Sequence, residues 1–324
     1  MEAVSVRGVT IFYCYATEDE RHLRELEKHL GSLKRLGKVT TWCDRQIAPG
    51  MEWEHEINAH LNAADIILLL VSPDFMQSDY CYNVEMKHAL ERHNSAEKAE
   101  VIPVIVRPVN WQDTPIGRLQ AWPARGKPIA LWNNKDEGYQ NVARGIGKIV
   151  SEQLALQWKN EGKSYYMIGS HEEALAAYNE ALRLNPANAE IHRDKGHVLL
   201  KLNRFNEALD AYNEAIQLKP GDEHFYIHKG HAFLKLQRCA EALVVYDHAV
   251  RINPSSAYLY VHKGYVLLDL QRPNDAQCAF EQALQLNPNI GMAYIGMGRA
   301  LEALGRASES QQAYGQARSL GQVI

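Results

Sequence analysis

The sequence predicts an α/β domain with a five-stranded parallel sheet followed by an all-α solenoid, and two observations predict it. The first is a repeat. Gly162, Gly196, Gly230, Gly264 and Gly298 stand 34 residues apart, and the same phase carries Pro186, Pro220, Pro254 and Pro288. It also carries Ala181, Ala215, Ala249, Ala283 and Ala317, with an aromatic row of Tyr178, Tyr212, Tyr246, Phe280 and Tyr314. A fixed period of this length marks a supersecondary unit that buries its apolar face only by stacking on its neighbours. Residues 155–324 are therefore read as five helix-turn-helix units of that period, and residues 1–154 as a separate domain. The second observation is that residues 1–154 alternate short apolar runs with amphipathic stretches, the pattern of a parallel sheet covered by helices on both faces.

Taken in order, the strand candidates are Val9–Tyr15, Val39–Cys43, Ile66–Val71, Val101–Val106 and Pro128–Leu131, each a short run rich in β-branched or apolar residues. Helical stretches are expected near residues 18–36, 52–63, 74–93 and 137–153. Ser72 is a good N-cap and Pro73 suits the first helical position, so a helix starts as the third strand ends. In each repeat the first helix carries the glycine, where neighbouring helices approach closely. The second carries the alanine and aromatic rows on one face, and the proline stops it.

Composition limits the function classes. Net charge is −4 over 324 residues, with 18 Lys+Arg against 21 Asp+Glu in residues 1–154. Neither half is a basic module, so neither nucleic acid nor an anionic membrane is expected as a partner. Five cysteines without a CxxC pair suit a reducing compartment and argue against a zinc site or a disulfide framework. The longest apolar run, Ile66 to Val71, is strand-sized, and the N-terminus shows no signal-length apolar region, so a soluble cytoplasmic protein is expected.

Ligands of doubly wound sheets bind beyond the carboxyl ends of the strands. Here those loops are Tyr15–Asp19, Asp44–Met51, Ser72–Ser78 and Arg107–Lys127. None holds a phosphate-cradling glycine motif, a GxSxG elbow or an HExxH zinc helix. In the helix after the third strand, Ser78, Cys81, Glu85 and His88 fall on one α-helical stripe, which puts a carboxylate in a furrow near the strand ends. In the repeats, Lys195, Lys229 and Lys263 recur beside the glycines, with His197, His228, His231 and His262 close by. They form either a groove that captures an acidic peptide or chain terminus, or a solvated face with histidines as ordinary polar surface, the second being the commoner use of such rows. His228 and His231, three residues apart, find no carboxylate or cysteine to complete a metal set.

Three separated segments, in order, carry a resemblance. They are Ile11-Phe12-Tyr13-Cys14-Tyr15, the loop from Asp44 to Gly50 followed by Trp53, and Ser72-Pro73-Asp74-Phe75 leading to Ser78, Cys81 and Glu85. Together they resemble a bacterial Toll/interleukin-1 receptor (TIR) domain over about residues 5–152. The repeat pattern, fullest in Trp158, Gly162, Tyr165, Ala174, Tyr178, Ala181 and Pro186, resembles the tetratricopeptide repeat (TPR). The first resemblance implies a flavodoxin-like five-stranded sheet and, as in many members outside animal receptors, cleavage of NAD+ at the nicotinamide–ribose bond, with ADP-ribose or a cyclised form as product. It matches Ser78, Cys81 and Glu85 to the family's Ser/Cys/Glu arrangement and makes Glu85 the catalytic residue. The second implies self-association or a protein or peptide partner in a concave groove.

The implied chemistry suits so sparse a site. Nicotinamide leaves NAD+ neutral, so no general acid is needed, and positive charge develops on the ribose. One carboxylate held under that ring stabilises it, and Glu85 is assigned that role. Tyr15 is placed to flank a base, with Tyr13 and Trp53 behind it, although Tyr13 equally suits the core and Trp53 the anchoring of its helix. Ala16 and Thr17 stand where some members carry basic residues, which leaves phosphate contacts to backbone amides or Arg45. NAD+ enters as substrate, with no resident cofactor or metal. The resemblance also implies that the loop Asp44–Met51 closes over a neighbouring copy, so that assembly through the repeats regulates activity, as in a bacterial defence effector. The alternative is a non-catalytic adaptor acting through TIR and TPR contacts alone.

Overall fold

The computed structural model describes residues 7–48, 50–95 and 98–322. The chain divides between Gln157 and Trp158 into two compact units.

In the first unit, β1 (Val9–Cys14), β2 (Val39–Trp42), β3 (Ile66–Val71) and β4 (Glu100–Ile105) form one parallel sheet in the order β2-β1-β3-β4. Ile11 of β1 pairs with Thr41 on one side and Ile66 on the other. Every residue of β3 is buried, as expected of a central strand with both faces covered. The covering helices are α1 (Glu20–His29), the short α2 (Gly31–Arg35), α3 (Trp53–Ala63), α4 (Pro73–Gln77) and α5 (Met86–Asn94). They are amphipathic: Leu23 and Leu26 of α1 and Ile57 and Leu61 of α3 face the core, while most of their charged neighbours face water.

The sheet corrects one expectation. Residues 128–131 do not form a fifth strand; Ile129–Leu131 is a 3₁₀ turn. Beside β4 there is a single parallel bridge, Val104 to Trp122, where the Trp122 amide donates to the Pro103 carbonyl and the Ile105 amide to that of Trp122, each at 2.8 Å. Beyond that bridge the Ala130 amide donates to the Val106 carbonyl at 3.0 Å, but no ladder forms, for a local reason. Pro123 and Pro128 have no N–H to donate, and Arg125 and Gly126 take φ of 65° and 66°, which turns the chain away.

The helix α6 (Lys135–Met167) contains the residues on both sides of the division. Its last part, from Trp158, pairs with α7 (His171–Leu184) as the first repeat. The others are α8 (Ala189–Lys201) with α9 (Phe205–Leu218), α10 (Glu223–Lys235) with α11 (Cys239–Ile252), α12 (Ala257–Asp269) with α13 (Pro273–Leu286), and α14 (Gly291–Ala303) with α15 (Ala307–Ser319). The two strongest sequence rows are one contact. A Cβ at Gly196 would lie 2.6 Å from the Tyr212 ring, and one at Gly162 2.9 Å from Tyr178, so each glycine admits the aromatic ring of the helix that follows. A further row escapes residue type: Gly169, Asn203, Gln237, Gln271 and Gly305, all in the turn between paired helices, share a positive φ.

The histidines are not solvated polar surface. The rings of His197 and His228 lie 4.2 Å apart edge to face, and those of His231 and His262 4.9 Å apart. His228 stacks on Tyr212 at 5.8 Å and His262 on Tyr246 at 5.7 Å. Burial pushes the pKa of His228 down to about 3 and that of His262 to about 4, so the row is neutral at physiological pH. Lys263 is paired with Asp247 at 2.7 Å. Among the described residues no group of three or more His, Cys, Asp or Glu side chains is arranged to hold a metal ion.

Candidate active site

The carboxyl ends of β1 and β3 lie where the strand order reverses, and a cavity of about 450 Å³ opens there. Tyr13, Tyr15, Ala16, Thr17 and Glu18 line it from β1 and the turn after it, Asp44 from the end of β2, and Trp53 from α3. Asp74, Gln77, Ser78, Tyr80, Cys81 and Glu85 line it from the segment after β3.

That last segment is built differently from one α-helix. Ser72 caps α4 by accepting from the Phe75 amide at 3.0 Å. α4 then ends at Ser78, whose backbone is extended, and the chain resumes as a single π-helical turn, Cys81–Glu85, before α5. The stripe of Ser78, Cys81 and Glu85 is therefore assembled from a helix end and a π turn, a rare element found mostly at functional sites. Ser78 Oγ accepts from the Cys81 amide at 3.2 Å, and the Cys81 thiol lies 3.5 Å from the Tyr15 carbonyl. These contacts tie the π turn to the end of β1 and aim Glu85 into the cavity. His88, the fourth member of the predicted stripe, bonds Asn62 at 3.0 Å and does not line it.

Glu85 is 6% exposed. Burial, reinforced by the nearby Asp44 charge, pushes its pKa up to about 8, against a weaker opposing hydrogen bond from the Cys14 thiol. Burial also pushes the Cys81 thiol to about 11, so it stays protonated and is no nucleophile at neutral pH. Tyr15 is half-buried and donates from its hydroxyl to Asp44 at 2.7 Å. Burial and that bond hold its phenol far above the usual range. Trp53 is 44% exposed with its ring 4.4 Å from that of Tyr80, so it is a cleft wall rather than a core anchor. Tyr13 is buried and still lines the cavity.

Arg45 is brought close in sequence but not into the lining. Its guanidinium pairs with Glu20 at 3.1 Å and Glu27 at 3.3 Å, which fastens the loop after β2 to α1. Pro49 of that loop lies outside the described residues, and Gly50 takes a φ of 92°. A second network fastens the other loops. Asp19 and Ser72, both fully buried, are joined by a hydrogen bond, and Arg107 bonds Asp19 at 2.9 Å and also Asp74.

Residue spacing did not single out Asp44, Asp74, Gln77 or Tyr80. Asp44 had a usable signal, since it lies two residues past β2 at the end where such sheets bind ligands. Tyr80 had none, because the break between α4 and the π turn decides where it points.

Family models match both halves of this architecture. The model for the TIR domain matches residues 11–143. Two tetratricopeptide repeat models match residues 159–223 and 261–321, and residues 223–256. The protein y4lF of Sinorhizobium fredii, described as uncharacterized, is 47% identical over 137 residues, which are 42% of this chain and 42% of that protein. The match thus spans less than half the length of this curated relative. Among solved structures, residues 41 to the end of MamA from Desulfovibrio magneticus align with a TM-score of 0.46 at 21% identity, over 52% of this chain and 94% of that one. A thermophilic TPR protein of Thermus thermophilus aligns with a TM-score of 0.43 at 24% identity, over 51% and 91%. With a parallel sheet ending in this cleft and glycine–aromatic repeats after it, the chain carries a TIR domain over residues 11–143 followed by tetratricopeptide repeats over residues 159–321.

Proposed function

We propose that the first unit hydrolyses NAD+ at the nicotinamide–ribose bond, and that the observation carrying this is Glu85, a carboxyl buried at the strand ends inside an aromatic-walled cleft. Bond cleavage releases neutral nicotinamide and leaves positive charge on the ribose, so a fixed carboxylate is the group the transition state calls for. Burial and the Asp44 charge leave Glu85 mostly protonated at pH 7. A pyridinium cation entering beside it favours the ionised form, so substrate binding releases a proton and prepares the carboxylate. Tyr15, held by Asp44, and Trp53 supply flat faces for the rings of the substrate. Cyclised product would require a nucleophile of the substrate to reach the ribose before water.

The repeats, in this reading, gather copies or bind a protein partner, as such units commonly do. A cavity of about 330 Å³ in the second unit, lined by Lys163, Tyr166, Met167 and Tyr178 and by the ion pair of Arg193 with Asp194, offers room for a partner's peptide segment. The test of the whole reading is incubation of purified protein with NAD+ and separation of products by chromatography and mass. Wild type releases nicotinamide, and Glu85→Gln loses at least about a hundredfold in rate. Turnover in Glu85→Gln equal to wild type removes Glu85 from the mechanism. No turnover by a folded wild type at any concentration supports the adaptor.

A further inference from the structure

Four carboxyl groups line the cleft, Glu18, Asp44, Asp74 and Glu85, and among the described residues no lysine, arginine or histidine does. Glu85 is mostly protonated and Asp74 is paired with Arg107, which leaves Glu18 and Asp44 as the negative charge of the walls. Two arginines adjoin it, and each is clamped by two carboxylates: Arg45 by Glu20 and Glu27, Arg107 by Asp19 and Asp74. A guanidinium held this way spends its fork on side chains of the protein, not on a ligand phosphate. A second, independent feature points to a neutral partner. Tyr13 is 1% exposed and lines the same cavity, and its hydroxyl is buried without a hydrogen-bond partner. Its desolvated phenol stays protonated, so it offers a neutral donor and acceptor suited to a sugar hydroxyl.

We propose that the cleft recognises its substrate by the ribosyl-pyridinium end and selects N-ribosyl pyridinium cations that lack a 5′-phosphate, with nicotinamide riboside used better than NAD+ or the mononucleotide. This rests on the reading of the site as a nicotinamide–ribose hydrolase. In that reaction the C1′–N bond breaks and its electron pair passes to the ring nitrogen, giving neutral nicotinamide. The oxygen of a water bonds to C1′ and the water gives up one proton to solvent. The riboside brings a net positive charge into the acidic walls. A 5′-phosphoryl group brings negative charge within a screening length, about 10 Å at 0.1 M salt, of Glu18 and Asp44, which no cation in the lining offsets.

The experiment compares kcat/KM of the full chain for riboside, mononucleotide and NAD+ at low ionic strength and at about 1 M salt. The expected result is a preference for riboside of about tenfold or more at low salt. Salt narrows that preference, and so does Glu18→Gln at low salt by raising the rate with NAD+. NAD+ used as well as the riboside at low salt overturns the proposal, as does a preference insensitive to both salt and Glu18→Gln. The hydrolase reading fails separately, by absence of turnover with all three compounds. Calorimetric titration then still reads the selectivity: tighter binding of the riboside sustains it, and equal or weaker binding overturns it.

Discussion

Glu85 joins the chemistry of the cleft to the stability of the domain. Its folded pKa is raised to about 8 from 4.5, so the neutral form is the one the fold prefers. The stability this confers is complete below about pH 4.5 and is lost as pH rises towards 8. Glu85→Gln mimics the neutral form, so the variant is expected to match wild type in thermal unfolding near pH 4 and to exceed it at pH 8, by on the order of 4 kcal/mol. A variant less stable than wild type at pH 8 would show that the carboxylate makes favourable contacts the cleft does not reveal. The catalytic expectation has the same origin. If ionised Glu85 serves the reaction, kcat/KM climbs from pH 6 through a midpoint near 8 and levels off about one unit above it, because this ratio reports the free protein. A profile that is flat, or falls across that range, assigns the charge stabilisation to another group.

At the scale of elements, the repeats depend on a contact and a row of rings. Alanine is a better helix former than glycine, yet Gly196→Ala drives a Cβ to 2.6 Å from the Tyr212 ring inside the α8–α9 pair. Overpacking is expected to outweigh propensity, with a net loss of about 1–3 kcal/mol in chemical denaturation. Unchanged or increased stability would mean that Tyr212 moves aside freely. The histidine row responds to acid. Burial lowers the pKa of His197, His228, His231 and His262, helped by Arg193 at His197 and His228, by Lys235 at His231, and by neighbouring imidazoles, and only Asp194, beside His197, opposes it. Groups whose charged form the fold disfavours add stability above their unfolded pKa, near 6.5, and lose it as pH falls towards the folded values. Helical signal followed from pH 7 to 4 should show the repeats weakening, and the double change His228→Gln with His262→Gln should flatten that slope. A slope identical in the double variant would place the acid sensitivity elsewhere.

At the scale of the whole molecule, activity is expected to follow concentration. Repeat arrays gather copies, and a gathered domain meets its neighbours at an effective concentration far above the bulk value. The intact chain and a fragment of residues 1–157 are compared in a dilution series, with particle size measured in parallel. The intact chain should retain more activity per domain at low concentration and form larger species. Identical specific activity and size at every dilution would leave the repeats as a targeting arm.

The repeat half was readable because each unit answers to the same local packing rule, so glycine, alanine, aromatic and proline rows return in phase from one unit to the next. The four strands were readable because buried parallel strands are continuous apolar runs. Three things only the tertiary structure decided. The fifth strand failed because Pro123 and Pro128 lack the N–H a ladder needs and two positive-φ residues between them turn the chain away, a cost that the apolar character of residues 128–131 conceals. The direction of Arg45 was set by Glu20 and Glu27 on a helix that precedes it in the chain and lies across β2 from it in sequence, which no local pattern encodes. Glu85 could be nominated from spacing with Ser78 and Cys81. Its protonation state follows from the π turn and from burial beside Asp44 on another strand's loop, because a pKa is set by everything packed around the group and not by its neighbours in sequence.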